Sequence, residues 1–252
     1  MTTSEIRIEG LTELEDFDRC VEMQLAVWNY SEGDLIPRRV FLVAQRIGGQ
    51  VLGAFDGETM VGFAMSLPGY RNGHAYMHSH MLAVMASHRN AGIGRRLKLA
   101  QRDEALARGI ELMEWTFDPL EIKNAHLNIT RLGAISRRYR KDFYGPSTSP
   151  LQGGLPTDRL YAEWWLKSER VLAAVAGHPE EAEAEESVRV PAAMAEWKKN
   201  EADRGRAREV QTRNRETLES AFARGLAVVG YDRDAAGDGI FKLGHWTEGL
   251  IY

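Results

Sequence analysis

The residues best able to do chemistry lie in one run, His78-Ser79-His80-Met81-Leu82-Ala83-Val84, followed by Arg89-Asn90-Ala91-Gly92-Ile93-Gly94-Arg95-Arg96. Two imidazoles at i and i+2 can accept or relay a proton near neutral pH. The second half sets two backbone-relaxing glycines and three arginines at the head of Arg95 to Ala107, which contains no helix breaker. A glycine loop that ends at a helix start presents unpaired N–H groups and the positive end of a helix dipole to a phosphate or pyrophosphate. Leu82 and Val84 alternate with Ala83 like a buried strand, so the run reads as strand, loop and helix. By the period of two, His78, His80, Leu82 and Val84 are expected on one face.

A bare pair of glycines fits an ordinary strand-to-helix turn equally well. The run lacks the third glycine and the acidic residue about 20 positions on that a dinucleotide fingerprint needs, and no P-loop Gly-Lys-Ser/Thr is present. What it resembles is the coenzyme A motif of the GCN5-related N-acetyltransferases, a hydrophobic-x-Val element (Leu82-Ala83-Val84) followed by Arg-x-x-Gly-x-Gly (Arg89 to Gly94). The resemblance implies that the backbone of Leu82, Ala83 and Val84 holds the pantetheine arm of acetyl-CoA or succinyl-CoA. It also implies that Arg89, Asn90, Ala91, Gly92, Ile93, Gly94 and Arg95 hold the pyrophosphate. His-x-His-x-Leu-Ala-Val is similar to the arylalkylamine N-acetyltransferases, where such a pair serves the proton path; other members place a Glu where His78 stands. A backbone N–H near Leu82 to Val84 would polarise the thioester carbonyl.

Around this run the chain must supply a sheet and flanking helices. Glu5 to Glu9 alternates like a first strand, and Thr12 with Glu15 reads as a capping box opening a helix through Trp28 whose stripe is Phe17, Val21, Leu25 and Trp28. Pro37 opens a second helix to Ile47, ended by Gly48-Gly49. Val51–Phe55 and Met60–Leu67 flank an Asp56-Gly57 turn; Gly69–Gly73 reads as a loop and Ala75–Val84 as the central strand. Ile110–Phe117 is a further strand, with Leu112, Glu114 and Thr116 on one face, stopped by Asp118-Pro119. Glu121–Leu132 reads as a helix ended by Gly133, with Asn124 and Asn128 one turn apart on a face that would look toward the cofactor. Leu160–Trp165 completes an α/β fold, a mixed central sheet flanked by helices.

The composition shifts to Pro, Ala and Glu around Gly177–Glu186, so residues 1–176 read as an acyltransferase domain and 177–252 as a C-terminal α/β lobe packed on it. In that lobe Ser187–Val190, Leu226–Tyr231 and Gly239–Leu243 read as strands, and Ala192–Arg224 as helical with a break at Gly205.

Other residues invite chemistry less directly. A departing thiolate needs a proton, and the position where many members of the resembled family carry a tyrosine holds Ile129. Tyr139, Tyr144 or water are then the candidate donors, the tyrosines fitting an aromatic core equally well. Arg137, Arg138, Arg140 and Lys141 could meet the cofactor's 3′-phosphate or a carboxylate on substrate or acyl group. His74, His78, His80 and His88 find no Cys or carboxylate in the stretch to complete a tetrahedral set, so no metal is expected. Cys20, the single cysteine, fits a buried structural thiol.

Of 252 residues 44% are hydrophobic and 27% charged, enough for a sizeable core. The net charge of −4 argues against nucleic acid as partner, and no run approaches the ~20 apolar residues of a membrane span. The N-terminus lacks a basic, apolar leader, so a cytoplasmic protein is expected. Trp115-Thr116-Phe117-Asp118-Pro119-Leu120 and Asn124-Ala125-His126-Leu127-Asn128 look like a predicted-acetyltransferase subgroup, some of whose members are linked to amino-acid N-succinylation. The reading is acyl transfer from acetyl-CoA or succinyl-CoA to the amine of a small molecule, with a homodimer compatible with it. An acyl-CoA-binding sensor that has lost turnover and a protein N-acetyltransferase stand as alternatives.

Overall fold

A computed structural model describes residues 5–30, 32–147, 149 and 152–246. The chain forms two compact units, one up to Glu114 and one from Trp115 on. The second unit holds a three-stranded sheet in the order Glu186–Val190, Gly239–His245 and Leu226–Arg233, and in the same unit Tyr139–Arg140 pairs antiparallel with Arg159–Trp165.

The first unit contains β1 (Arg7–Gly10), α1 (Leu14–Trp28), α2 (Arg38–Arg46), β2 (Gln50–Asp56), β3 (Thr59–Arg71), β4 (His74–Val84), α3 (Ile93–Ala107) and the start of β5 (Leu112–Phe117). Strands β1 to β4 pair antiparallel, and β5 joins β4 in parallel at Met77↔Met113 and His78↔Glu114. Phe17, Cys20 and Phe41 from α1 and α2 pack with Phe63, Met65, Met81 and Ala83 on one face of the sheet. Ile93 and Leu97 of α3 cover Leu52, Ala54, Val61 and Ala64 on the other. Each of the Phe, Met, Leu, Ile and Val side chains among these, fully buried, contributes roughly 1.5–3 kcal/mol of transfer free energy.

Three expectations change here. α1 starts with Glu13 at its N-cap and no side-chain cap, because the Thr12 hydroxyl donates to Glu13. Its inward face is Phe17, Cys20, Met23 and Gln24, while Leu25 is 46% exposed. Gln24 is inside because it serves the backbone of Ile36 twice, accepting from its N–H at 2.8 Å and donating to its carbonyl at 3.0 Å. The expected loop Gly69–Gly73 is strand as far as Arg71, with Gly69↔Tyr76 and Tyr70↔Ala75 in the ladder. The reversal is made by Asn72 and Gly73 alone, both at positive φ, the signature of a tight two-residue hairpin turn. Gly69 is needed for another reason: a Cβ there would lie 2.3 Å from the Tyr76 ring, which crosses the strand at that point.

The second unit continues β5 and adds α4 (Ile122–Ala125), β6 (Tyr139–Arg140), β7 (Arg159–Trp165), α5 (Glu169–Ala176), β8 (Glu186–Val190), α6 (Met194–Lys199), α7 (Arg204–Ala223), β9 (Leu226–Arg233) and β10 (Gly239–His245). The expected helix Glu121–Leu132 is α-helical only over α4 and π-helical over His126–Arg131. The break expected at Gly205 falls at Asn200, which caps a 3₁₀ turn ahead of α7. The expected boundary at Gly177–Glu186 falls inside this unit. Ser136 bridges Val228, Thr130 donates to the Tyr231 carbonyl at 2.7 Å, and Lys198 donates to Asp118 at 2.7 Å and Glu121 at 2.8 Å. A Pro/Ala/Glu-rich stretch thus marks a solvated connection here, since long-range ties join the segments on either side of it.

Candidate active site

Strand β4 is the spine of the site, and its pairing with β3 is interrupted once. Met81 faces Met65 and Ser79 faces Ser66, so His80 is an extra residue, a β-bulge. A one-residue insertion slips the inside–outside alternation, and the face predicted by period two is corrected accordingly. Leu82 and Val84 pack toward α3 with Ile93 and Leu97, and Ser79 also turns that way, bonded to Lys98 and Gln101. Met81 and Ala83 belong to the core beneath α1 and α2, and His78 is paired with Leu67, which packs on that same core. His78 is therefore on the opposite face from Leu82 and Val84. The two imidazoles nevertheless stay together, with ring centroids 6.1 Å apart. Burial lowers the pKa of His80, which favours the neutral, proton-accepting ring.

Beside His78 lies an ion pair that sequence reasoning missed. Glu114, in register with His78 across β4 and β5, is 1% exposed and held by both Nη atoms of Arg71 at 2.7 and 3.2 Å. The Arg71 guanidinium also sits 5.0 Å from the centroid of the Tyr76 ring that crosses Gly69. This carboxylate is engaged by its arginine. The signal in the sequence was a Glu between Met113 and Trp115 in a largely buried strand, which requires a cation whose position only the hairpin reveals.

After β4 the chain passes through a 3₁₀ turn, Ala86–His88, to Gly92, which caps α3 in the left-handed conformation at φ 76°. Asn90 is also left-handed, at φ 66°. A Cβ at Gly92 would meet no neighbour, so backbone conformation rather than space favours glycine there. Gly94 is close to Leu82, 3.4 Å from the place of a Cβ to Leu82 Cδ2. The first turn of a 15-residue helix, opening on exposed Ala91 and Gly92, fits an anionic group. The three arginines differ. Arg89 is exposed, Arg95 half-buried, and Arg96 donates to the Ile6 carbonyl at 2.6 Å. His88 pins the turn to the β2–β3 hairpin, with Nε2 3.2 Å from Asp56 and Nδ1 2.8 Å from the Ser87 hydroxyl.

The remaining candidates belong to the second unit. Asn124 is exposed and Asn128 buried, so they do not present one surface; the π-helical turn that begins between them changes the angular step. Tyr139 is buried and its hydroxyl donates to Asp158 at 2.6 Å; burial and this bond push its pKa far above the ordinary phenol range. That proton is committed to a structural contact. Tyr144 is 51% exposed, its hydroxyl 2.9 Å from that of Thr116. Arg137 and Arg138 both bind Glu163, at 2.5 and 3.3 Å, which engages two of the four cations expected to meet a phosphate or carboxylate, while Arg140 and Lys141 are exposed. Cys20 is fully buried, and burial pushes its thiol up to about 12. Among the described residues no group of three or more His, Cys, Asp or Glu is placed to hold a metal ion, and no helix is long and apolar enough to cross a membrane.

Residues 15–127 match the model of the Acetyltransferase (GNAT) family. Among solved structures the chain is similar to the ribosomal-protein-S18-alanine N-acetyltransferase of Escherichia coli, at 18% identity and a TM-score of 0.52, over 65% of this chain and 96% of that one. It is similar to the yncA structure of Salmonella typhimurium with its cofactor acetyl-CoA, at 18% identity and a TM-score of 0.51, over 66% and 96%. A GNAT-family acetyltransferase of Streptococcus pneumoniae aligns at 17% identity with a TM-score of 0.50, over 63% and 98%. No protein of curated function matches the chain.

Proposed function

We propose that this chain, whose residues 15–127 match the GNAT acetyltransferase model, is an acyl-CoA-dependent N-acyltransferase that acylates the primary amine of a small molecule, an amino acid in the first instance. The observation that carries the proton chemistry is the pair of imidazoles on β4, 6.1 Å apart and a few residues ahead of the loop that opens α3. Acyl-CoA supplies a thioester electrophile. His80, kept neutral by burial, takes a proton from the incoming ammonium, directly or through the neighbouring ring of His78. The amine nitrogen then bonds to the acyl carbon as the carbon–sulfur bond breaks. The nitrogen gives up its second proton to solvent and the thiolate takes one from water; of the two candidate tyrosines, Tyr144 is the one whose hydroxyl is not held by a carboxylate. The first-turn amides of α3 and Arg89 receive the pyrophosphate.

Replacing both histidines by alanine should lower kcat by roughly 10²–10⁴, the usual worth of general-base help, with acyl-CoA affinity nearly unchanged by calorimetry. In the native enzyme the acidic limb of kcat/KM should lie below the ordinary imidazole value of about 6.5, because burial lowers that of His80. Full activity with an unmoved limb in the double variant would remove the histidines from the mechanism. Gly92→Asp should abolish acyl-CoA binding, since it brings a carboxylate and an unfavourable left-handed backbone to the anion site. Substrate class is read by free-thiol release from acetyl-CoA and succinyl-CoA against amino acids, arylalkylamines and peptides with free N-termini. Turnover of peptides alone would replace the small-molecule reading by protein N-acylation, the activity named for the Escherichia coli structure.

A further inference from the structure

Behind β4, on the α3 side, lies a buried polar chain of a kind an apolar core does without. Lys98, 4% exposed on α3, donates from Nζ to the Ser79 hydroxyl at 2.8 Å. Ser79 in turn donates to Gln101 Oε1 at 2.9 Å. Gln50 of β2 donates to the Gln101 carbonyl at 2.8 Å and accepts from the Ser66 hydroxyl of β3 at 2.8 Å. Ser66 and Ser79 are the paired residues that flank the bulge at His80. The chain thus ties β2, β3, β4 and α3 together at the one place where the β3–β4 register slips.

We propose that Lys98 is a positioning residue that acts through Ser79 to fix the bulge and so to set the His80 ring beside His78. A bulge costs ladder hydrogen bonds and survives where its surroundings over-determine it. Here the hydroxyl of the preceding residue is held from two sides, by a lysine and a glutamine one turn apart on α3. A lysine is a costly way to fill a core position, and a methionine of similar length would pack there without the hydrogen bond. Burial holds Lys98 well below the usual lysine range, which suits a neutral amine donating to a hydroxyl. The inference rests on the reading that His80 carries protons, and its test separates the two.

Around His80 the nearest titratable group shown is the His78 ring, with centroids 6.1 Å apart; the Arg71–Glu114 pair is in register with His78, and Lys98 reaches Ser79 from the α3 side. Lys98→Met and Ser79→Ala should each lower kcat by roughly 10–100-fold, the scale of a misplaced catalytic group, while the KM for acyl-CoA stays within about twofold. Folding is checked by thermal melting, and a second measurement does not need activity: NMR titration of the His80 ring, assigned by its loss in His80→Ala. In Lys98→Met the His80 pKa should move toward the ordinary imidazole value as the ring leaves its buried place. In a double-mutant cycle, Lys98→Met should add nothing further once His80 is alanine. An unmoved His80 titration in folded Lys98→Met overturns the inference, as does full additivity of the two substitutions. If His80→Ala retains full kcat the proton-path reading fails, and the titration alone then decides whether Lys98 sets the ring.

Discussion

Lys98 and Lys198 are buried almost equally, at 4% and 3% exposure, and they have opposite environments. Lys198 in the second unit donates to two carboxylates, Asp118 at 2.7 Å and Glu121 at 2.8 Å. Burial pulls its pKa down, but the charges of Asp118 and Glu121 outweigh burial and raise it above the usual value. Lys98 in the first unit donates to a serine hydroxyl, and burial leaves its pKa well below. The first is a cation that joins the end of β5 to α6 across 80 residues of sequence. The second is an amine that a purely apolar residue could replace with a gain in transfer free energy. A buried lysine whose amine reaches a serine hydroxyl beside a bulge is better explained by what it holds in place than by stability.

That contrast can be broken most sharply at Lys198. Lys198→Met leaves Asp118 buried against no cation; removing one partner of a buried pair costs about 3–5 kcal/mol. The lower end applies, because Glu121 is 39% exposed and can rehydrate. At roughly 2–4 °C per kcal/mol for a chain of this size, the melting temperature should fall by roughly 6–12 °C. A fall of only a degree or two would place the pair among inert surface contacts. Lys98→Met should move the other way, raising the melting temperature by about 2–4 °C, as replacement of a buried ionisable group by an apolar one of similar volume often does. Together with the loss of kcat, that would make Lys98 a site where stability is exchanged for activity. Destabilisation by Lys98→Met would instead make it a structural hydrogen-bond donor like any other.

The smallest effect is in the alkaline limb of stability, followed by urea midpoints between about pH 8 and 11. A raised lysine pKa contributes stability that is complete below the unfolded value near 10.4 and is lost as pH climbs through the higher folded value. Lys198→Met should remove part of that alkaline loss. A lowered lysine pKa has the reverse sign, since the unfolded chain binds a proton that the folded chain does not until pH falls through the folded value. The penalty from Lys98 should therefore shrink as pH rises toward about 10.4, and the advantage of Lys98→Met should shrink with it. A pH-independent advantage would show that Lys98 is charged in the folded state.

Much of the fold was legible because it is written in local periodicity. Pro37 and Gly48 bracket α2, Gly57 with Glu58 turns β2 into β3 one residue on from the expected Asp56-Gly57, and the glycine loop ends at α3 where the breaker-free run begins. Several of the misses share one cause, a partner distant in sequence. Nothing within α1 says that Gln24 turns inward, because its reason is the Ile36 backbone. Nothing near Tyr139 says that its hydroxyl is taken, because Asp158 is 19 residues on. Arg137 and Arg138 looked available until Glu163 was placed between them. The Asn72-Gly73 turn is different: its signal was local and plain, and the surrounding glycines obscured it.

By itself the sequence determined the kind of backbone at the site, a strand, a left-handed glycine and a helix N-terminus, because those depend on φ/ψ preferences and spacing that act within a few residues. It also supplied the two imidazoles proposed to move a proton. Which way they point was settled by the tertiary structure. A single extra residue in β4 against β3 turns Leu82 and Val84 away from His78 while leaving the imidazoles adjacent. That slip is decided by pairing with another strand and by a lysine on a helix behind it, and a period counted along one strand contains neither.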